Sequence, residues 1–133
     1  MLKDKTILVT GAGDGIGKAV AIKYAALGAN LILLGRTLSN LEESYDEIIS
    51  NGSPTPMISL MDLSKADAND YQDLIDNLLD RYDCLDGLLL NAGTLGDRSP
   101  ISQYDVPTWV NTLHVNLTAQ FILTQTLLPA LYK

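Results

Sequence analysis

Four short apolar runs alternate with stretches of helical periodicity along this chain of 133 residues. The runs cover residues 6–9, 30–35, 57–61 and 85–90, and none of them shows the alternation of a strand with one face in water. After each run, apolar residues recur at the three- and four-residue spacing of a helix. The pattern predicts an α/β fold in which helices cover both faces of a parallel sheet.

Right-handed crossovers between parallel strands favour the order 3-2-1-4 for such a sheet. That order describes a Rossmann-type doubly wound parallel sheet, here ending after the fourth strand and the helix that follows it. We expect residues 11–17 and 91–93 to face each other across a crevice at the carboxyl ends of strands 1 and 4. Neither a linker nor a repeat divides the sequence, and residues 1–133 are predicted to form a single domain.

Polar residues at the starts of the helical stretches predict two of the helix boundaries. Ser39 and Glu42 have the spacing of a capping box for the second helix. Asp105 can cap a last, long helix, in which Trp109 and Phe121 are expected to lie in the core or on a helix-packing surface.

A glycine-rich turn connects the first strand to the first helix, and it contains Gly11, Gly13, Asp14, Gly15, Ile16 and Gly17. A turn at this position forms a phosphate cradle, because free N–H groups and the positive end of the helix dipole point into it. We expect Gly11 to form the tight exit from the strand, Gly15 to let a pyrophosphate approach the backbone, and Gly17 to let the helix lie close on the sheet. The spacing matches neither G-x-G-x-x-G nor a Walker-type loop.

Charge and cysteine content narrow the classes of partner. The formal net charge of −7 argues against nucleic acid or an anionic membrane, because neither is attracted to an acidic surface. A phosphate-bearing ligand would then be held by backbone amides and an arginine. Cys84 is the only cysteine, so no intramolecular disulfide can form; we expect a small buried residue there and a cytoplasmic setting. No apolar run has the length of a membrane span, and no metal site is predicted.

Four separated motifs resemble those of the short-chain dehydrogenase/reductase family: T-G-x-x-x-G-I-G at 10–17, Asp62-Leu63 after the third strand, Asn91-Ala92-Gly93 after the fourth, and His114-Val115-Asn116-Leu117 in the last helix. Together with L-L-G-R and L-D-G, they look most like bacterial oxidoreductases within that family. The family more often has a second Asn where Leu90 stands here.

The resemblance implies a role for each motif. The glycine turn would hold the pyrophosphate of a nicotinamide dinucleotide, and Asp62 and Leu63 would contact the adenine. Asn91, Ala92 and Gly93 would lie beside the adenosine ribose and the phosphates. Asn116 would be catalytic, as the residue that helps hold a proton-relay water. From the residues alone, Asp62 could equally be the cap of a turn or helix.

The end of the second strand bears on the choice of cofactor. An acid there holds the ribose 2′-OH of NAD, whereas a cation there suits the 2′-phosphate of NADP. Gly35 is followed by Arg36, and no acid occurs before Glu42. Arginine grips phosphate bidentately, so NADP(H) is favoured. Asp14 counts against it, because a basic residue in the turn would assist the 2′-phosphate, and NAD(H) stays open as the alternative.

The family's Tyr-x-x-x-Lys pair is not found, since none of the six tyrosines has a lysine four positions later. The family's catalytic Ser is not found either. The resemblance therefore implies the amino-terminal, cofactor-binding half of an NADP(H)-dependent oxidoreductase. Such an enzyme would transfer hydride between nicotinamide and a small carbonyl or alcohol substrate. We expect residues 1–133 to be an incomplete dinucleotide-binding domain that is inactive on its own and homo-oligomeric. The alternatives are a non-catalytic dinucleotide-binding module and, less favoured without an acid after the second strand, a methyltransferase-like protein.

Overall fold

The computed structural model describes residues 1–133, which form four strands and five α-helices. In chain order these are β1 Thr6–Thr10, α1 Gly15–Ala26, β2 Asn30–Gly35, α2 Leu38–Ser50, β3 Met57–Leu60, α3 Ala68–Arg81, β4 Gly87–Leu89, α4 Val106–Leu113 and α5 Ala119–Leu131. A 3₁₀ turn covers Ile101–Gln103, and a π-helical turn, His114–Thr118, joins α4 to α5 without a break. All strand pairs are parallel and their order is β3-β2-β1-β4, which confirms the predicted Rossmann-type topology.

The side chains of β1 and β2 point alternately into two apolar clusters, one on each face of the sheet. Leu8 and Ile32 belong to the cluster under α3 and α5, whereas Val9 and Leu33 belong to the cluster under α1 and α2. These two strands are buried as expected. Strands β3 and β4 are only half-buried, contrary to expectation, because they form the two edges of the sheet.

The predicted capping box of the second helix is wrong. Helix α2 begins at Leu38, so Ser39 and Glu42 lie inside it, and Thr37 at the N-cap makes no side-chain hydrogen bond. A capping box is found instead at the start of α3. There Asp67 Oδ1 accepts a hydrogen bond from the Asp70 amide at 3.0 Å, and Asp70 Oδ2 accepts one from the Asp67 amide at 2.9 Å.

The predicted last helix runs without a break from Val106 to Leu131, and the π turn lies within it. Asp105 caps α4 as expected, accepting a hydrogen bond from the Thr108 amide at 3.0 Å. Trp109 and Phe121 are not core residues, since they are 55% and 66% exposed. No residue of α4 is buried. The apolar residues of this region form an exposed surface, the α4–α5 patch: Trp109, Val110, Leu113, Leu117 and Phe121.

Strand β4 is shorter than predicted and pairs with β1 along one edge only. Leu85 is buried but precedes the strand, and Leu90 follows it with 41% of its surface exposed.

Cys84 is half-buried rather than buried, with its Sγ 3.8 Å from Asp86 Oδ1. No helix of the structure is apolar over a length that would span a membrane.

Candidate functional site

A crevice of about 330 Å³ lies at the carboxyl ends of the strands. Its lining includes these predicted site residues: Gly11, Gly13, Asp14, Arg36, Asp62, Leu63, Ala92 and Gly93. Nine residues that were not among the predicted site residues also line it: Leu34, Gly35, Thr37, Asn40, Leu41, Met61, Ser64, Thr94 and Val115. The doubly wound topology thus brings motifs from four separate parts of the chain into one concave surface, as expected at the switch point of such a sheet.

Two glycines of the turn have different structural reasons to lack a side chain. Gly15 has φ +53°, a backbone conformation that favours glycine. A Cβ built there would meet no atom within 4 Å, so the space beside its Cα is open. A Cβ on Gly17 would overlap the carbonyl oxygen of Gly11 and lie 2.6 Å from Asn91 Nδ2. Gly17 therefore lets the start of α1 lie close to the residues that follow β1 and β4, in keeping with the close approach of helix to sheet expected of this glycine.

Most amides of the turn have no acceptor within the protein. The N–H groups of Gly13, Asp14, Ile16 and Gly17 make no hydrogen bond, whereas that of Gly15 donates to Asp14 Oδ1 at 2.7 Å and that of Ala12 donates to the Leu34 carbonyl at 3.2 Å. The side chain of Ile16 is 73% exposed, so this residue contributes to the turn through its backbone. Free amides at a helix N-terminus attract an anion, while the carboxylate of Asp14 opposes it.

Thr10 connects the two strands that border the crevice, and it was not predicted as a site residue. Its hydroxyl is fully buried and accepts hydrogen bonds from the amides of Asn91 at 2.9 Å and Ala92 at 2.8 Å. It donates to the carbonyl of Leu89 at 3.4 Å. One side chain thereby holds the end of β4 against the start of the glycine turn.

Asn116 lies in the π turn and is paired with the loop that follows β4. Its Oδ1 accepts a hydrogen bond from the Thr94 amide, and its Nδ2 donates one to the Thr94 carbonyl, both at 2.8 Å. Gln120 adds a second link, with Nε2 donating to the carbonyls of Ala92 at 3.2 Å and Val115 at 3.0 Å. Asn116 therefore holds the rim of the crevice, and it does not line the cavity itself.

Asp62 caps a turn and still presents a free oxygen. Its Oδ1 accepts hydrogen bonds from the Ser64 amide at 2.9 Å and the Ser64 hydroxyl at 2.6 Å, whereas Oδ2 has no donor from the protein. The Ser64 hydroxyl is the main influence that holds the pKa of Asp62 below its ordinary value; partial burial opposes it, and Lys65 and Arg36 assist. Arg36 is exposed and forms no ion pair. An ionised acceptor and an unpaired guanidinium thus face the same crevice.

Comparison with known proteins places these features in one family. The family model described as short chain dehydrogenase matches residues 5–133. The chain belongs to the short-chain dehydrogenase family. The family match confirms the resemblance that was inferred from the sequence motifs. The observed sheet order also agrees with the fold that this resemblance implies.

Relatives within the short-chain dehydrogenase family include the uncharacterized oxidoreductase YciK of Escherichia coli, which is 41% identical over the whole chain and matched over 53% of its own length. A structure from Pseudomonas syringae described as a short chain dehydrogenase has a TM-score of 0.95 at 45% identity, over 98% of this chain and 53% of its own. One from Shigella flexneri, described as complexed with NADP, has a TM-score of 0.95 at 40% identity, over 98% and 55%. This chain thus spans about half the length of these relatives.

Proposed function

We propose that residues 1–133 bind NADP(H) as the cofactor-binding part of a short-chain oxidoreductase, with NAD(H) as a weaker ligand. The observation that carries the proposal is the crevice itself, which is lined by Gly13 and Asp14 with their unbonded amides, by an unpaired Arg36 and by Asp62 with one free carboxylate oxygen. The NADP complex of the Shigella flexneri relative supports the choice of cofactor. The same residues would hold NAD(H) less tightly, because no carboxylate stands at the end of β2 to accept hydrogen bonds from the ribose hydroxyls of that cofactor.

Each part of the cofactor has a partner in this proposal. The unbonded amides of Gly13, Asp14, Ile16 and Gly17 would hold the pyrophosphate, and Arg36 would hold the 2′-phosphate. Oδ2 of Asp62 would accept a hydrogen bond from the adenine amine, beside Leu63. Asn91, Ala92 and Gly93 would border the adenosine ribose. When bound, the nicotinamide supplies a hydride donor or acceptor for a small carbonyl or alcohol substrate.

Asn116 is proposed to act through the loop it holds. Its amide oxygen and one amide hydrogen are each already bonded once to Thr94, so a relay water would be held by the second Nδ2–H, by the second lone pair of Oδ1 or by main-chain groups of the π turn. Residues 1–133 contain no Tyr-x-x-x-Lys pair. We therefore expect this stretch alone to bind the cofactor weakly and to oxidise no NADPH in the presence of carbonyl compounds, as measured by absorbance.

Calorimetric titration of the chain with NADPH and with NADH tests the assignment. Gly15→Ala should weaken NADPH binding at least tenfold, because the new methyl group would stand where a pyrophosphate approaches the turn. Gly52→Ala is the matched control: Gly52 also has a positive φ, +75°, and open space at its Cβ, but it lies in the loop after α2. Both variants carry a similar backbone strain, and only the first changes the turn.

Equal affinities of NADPH for the two glycine variants would contradict a pyrophosphate site at the turn. Tighter binding of NADH than of NADPH would contradict the role of Arg36. Binding that survives in a longer protein without any oxidation of NADPH would favour a non-catalytic dinucleotide-binding module.

We also propose that the protein is homo-oligomeric, because the α4–α5 patch exposes an apolar surface that a partner subunit would cover. A cytoplasmic location stays a prediction from the single cysteine.

A further inference from the structure

Ser44 is a polar residue on the buried face of α2, between Leu41 and Ile48, and it is fully buried. Its hydroxyl donates to the carbonyl of Ala12, in the glycine turn, at 2.8 Å. A second acceptor, the Asn40 carbonyl one helical turn earlier, is farther away at 3.3 Å. The shorter contact joins residues 32 positions apart, so the hydroxyl serves the turn more than its own helix.

The Ala12 carbonyl receives no other hydrogen bond, whereas the Ala12 amide donates to the Leu34 carbonyl at the end of β2 at 3.2 Å. Ala12 itself is fully buried. Without Ser44, the carbonyl would therefore be an unsatisfied acceptor in a closed space, which is costly. The side chain of Ser44 and the backbone of β2 together hold Ala12 from both sides.

This contact also determines where the next amide points. The peptide unit between Ala12 and Gly13 is planar and trans, so its C=O and N–H lie on opposite sides. When the Ala12 carbonyl is held toward Ser44 on α2, the Gly13 N–H is held in the opposite direction. That N–H is one of the unbonded amides of the turn, and Gly13 lines the crevice.

We propose that Ser44 is a positioning residue for phosphate binding: its hydroxyl fixes the Ala12–Gly13 peptide so that the Gly13 amide is preoriented toward a diphosphate in the crevice. This inference rests on the proposed function, because it names the residue that prepares the cradle for that ligand. It concerns the diphosphate alone. Arg36 and Asp62 lie on other segments, and the Ser44 hydroxyl touches neither.

The test compares Ser44→Thr with Ser44→Val, two side chains of nearly the same shape of which only threonine keeps the hydroxyl. Affinity is measured by calorimetry for NADPH and for adenosine 2′-monophosphate, which has the adenine and the 2′-phosphate but no diphosphate. We expect valine to bind NADPH about three- to tenfold more weakly than threonine, the effect of one ordinary hydrogen bond. Both variants should bind adenosine 2′-monophosphate equally within twofold.

Two further variants guard against effects on folding. Ser50→Ala removes an exposed hydroxyl that also donates to a carbonyl of α2, that of Glu47 at 3.1 Å, without touching the turn. It should leave both affinities unchanged. If valine does not fit the closed space at position 44, threonine, which has the same shape, does not fit either. Ser44→Ala is then compared with the unaltered chain, which keeps the hydroxyl.

A ligand-free measurement separates this inference from the proposed function. Hydrogen exchange of the Ala12 amide, followed by NMR and normalised to the core amide of Leu78 in α3, should be about tenfold faster without the hydroxyl. If the unaltered chain does not bind NADPH, the proposed function fails, and Ala12 exchange alone decides whether Ser44 holds the turn. Equal loss of both ligands, no loss of either, or unchanged Ala12 exchange would show that Ser44 is a packing residue only.

Discussion

Replacement of Thr10 by valine tests whether one hydroxyl holds the two halves of the crevice together. Valine keeps the shape and the strand preference of threonine, so the change removes the hydroxyl and little else. In Thr10→Val the amides of Asn91 and Ala92 lose their acceptor, and the Leu89 carbonyl loses a donor at 3.4 Å. The perturbation is therefore confined to the contact between β1 and the segment after β4.

The magnitude follows from these contacts. An unsatisfied buried donor costs about 1–3 kcal/mol, and the Thr10→Val variant creates two. Both amides are only partly buried, so water can reach them and the lower part of that range applies. The added methyl group returns about 0.8 kcal/mol through apolar burial. We expect the free energy of unfolding to fall by about 2 kcal/mol, out of a total of about 5–15 kcal/mol for a typical domain.

Urea unfolding followed by far-UV circular dichroism measures this change. With a slope of about 2 kcal/mol per molar urea, the midpoint of Thr10→Val should fall by about 1 M. Thr6→Val is the matched control: Thr6 lies in the same strand and is 4% exposed, but its hydroxyl makes no hydrogen bond. This control should change the stability by no more than about 0.5 kcal/mol. Equal midpoints for the two variants would refute the role assigned to the Thr10 hydroxyl.

Three further outcomes are expected. In calorimetry, Arg36→Asp should weaken NADPH binding by about 1.5–3 kcal/mol and leave NADH binding unchanged. Arg98→Asp, the same charge change in an exposed loop, should change neither affinity. An equal loss of affinity for both cofactors would show that Arg36 has a structural role only. The pKa of Asp62 lies below its ordinary value of 3.8. The contribution of this carboxylate to stability is therefore complete above pH 3.8 and is lost as the pH falls through the lower pKa of the folded state. In NMR titration, Ser64→Ala should raise the pKa of Asp62 back toward 3.8. The chain should associate at high concentration through the α4–α5 patch, and light scattering should show less association for Phe121→Lys; a monodisperse unaltered monomer would contradict the homo-oligomer.

The fold could be predicted because its determinants are local. The buried strands appear as uninterrupted apolar runs, and the glycine turn follows the first of them directly. Strand order then follows from the handedness of the crossovers. Local rules also place Asp105 at the start of its helix. They fail at Ser39, which lies inside a helix that begins one residue earlier, at Leu38, without a side-chain cap.

The contacts that shape the crevice could not be predicted in the same way. The bond from the Ala92 amide to Thr10 joins residues 82 positions apart, and no periodicity or spacing signals it. The two oxygens of Asp62 likewise become distinguishable only once the Ser64 hydroxyl is seen to occupy one of them. Ser44 could have been found from the sequence, because it is a polar residue on the apolar stripe of a helix. A buried hydroxyl at such a position requires a hydrogen-bond partner.

The π turn at His114–Thr118 sets the rotational phase of everything that follows it. In this turn the Ala119 amide bonds to the His114 carbonyl five residues earlier, which accommodates one residue more than an α-helical turn. Each residue advances an α-helix by about 100°, so loss of a single residue from this turn would rotate α5 by that angle relative to α4. Leu123 and Leu127, now fully buried against the sheet, would swing out of the core. The extra residue therefore acts as a spacer between two helical faces, and it allows α5 to face the sheet while Asn116 faces the crevice rim.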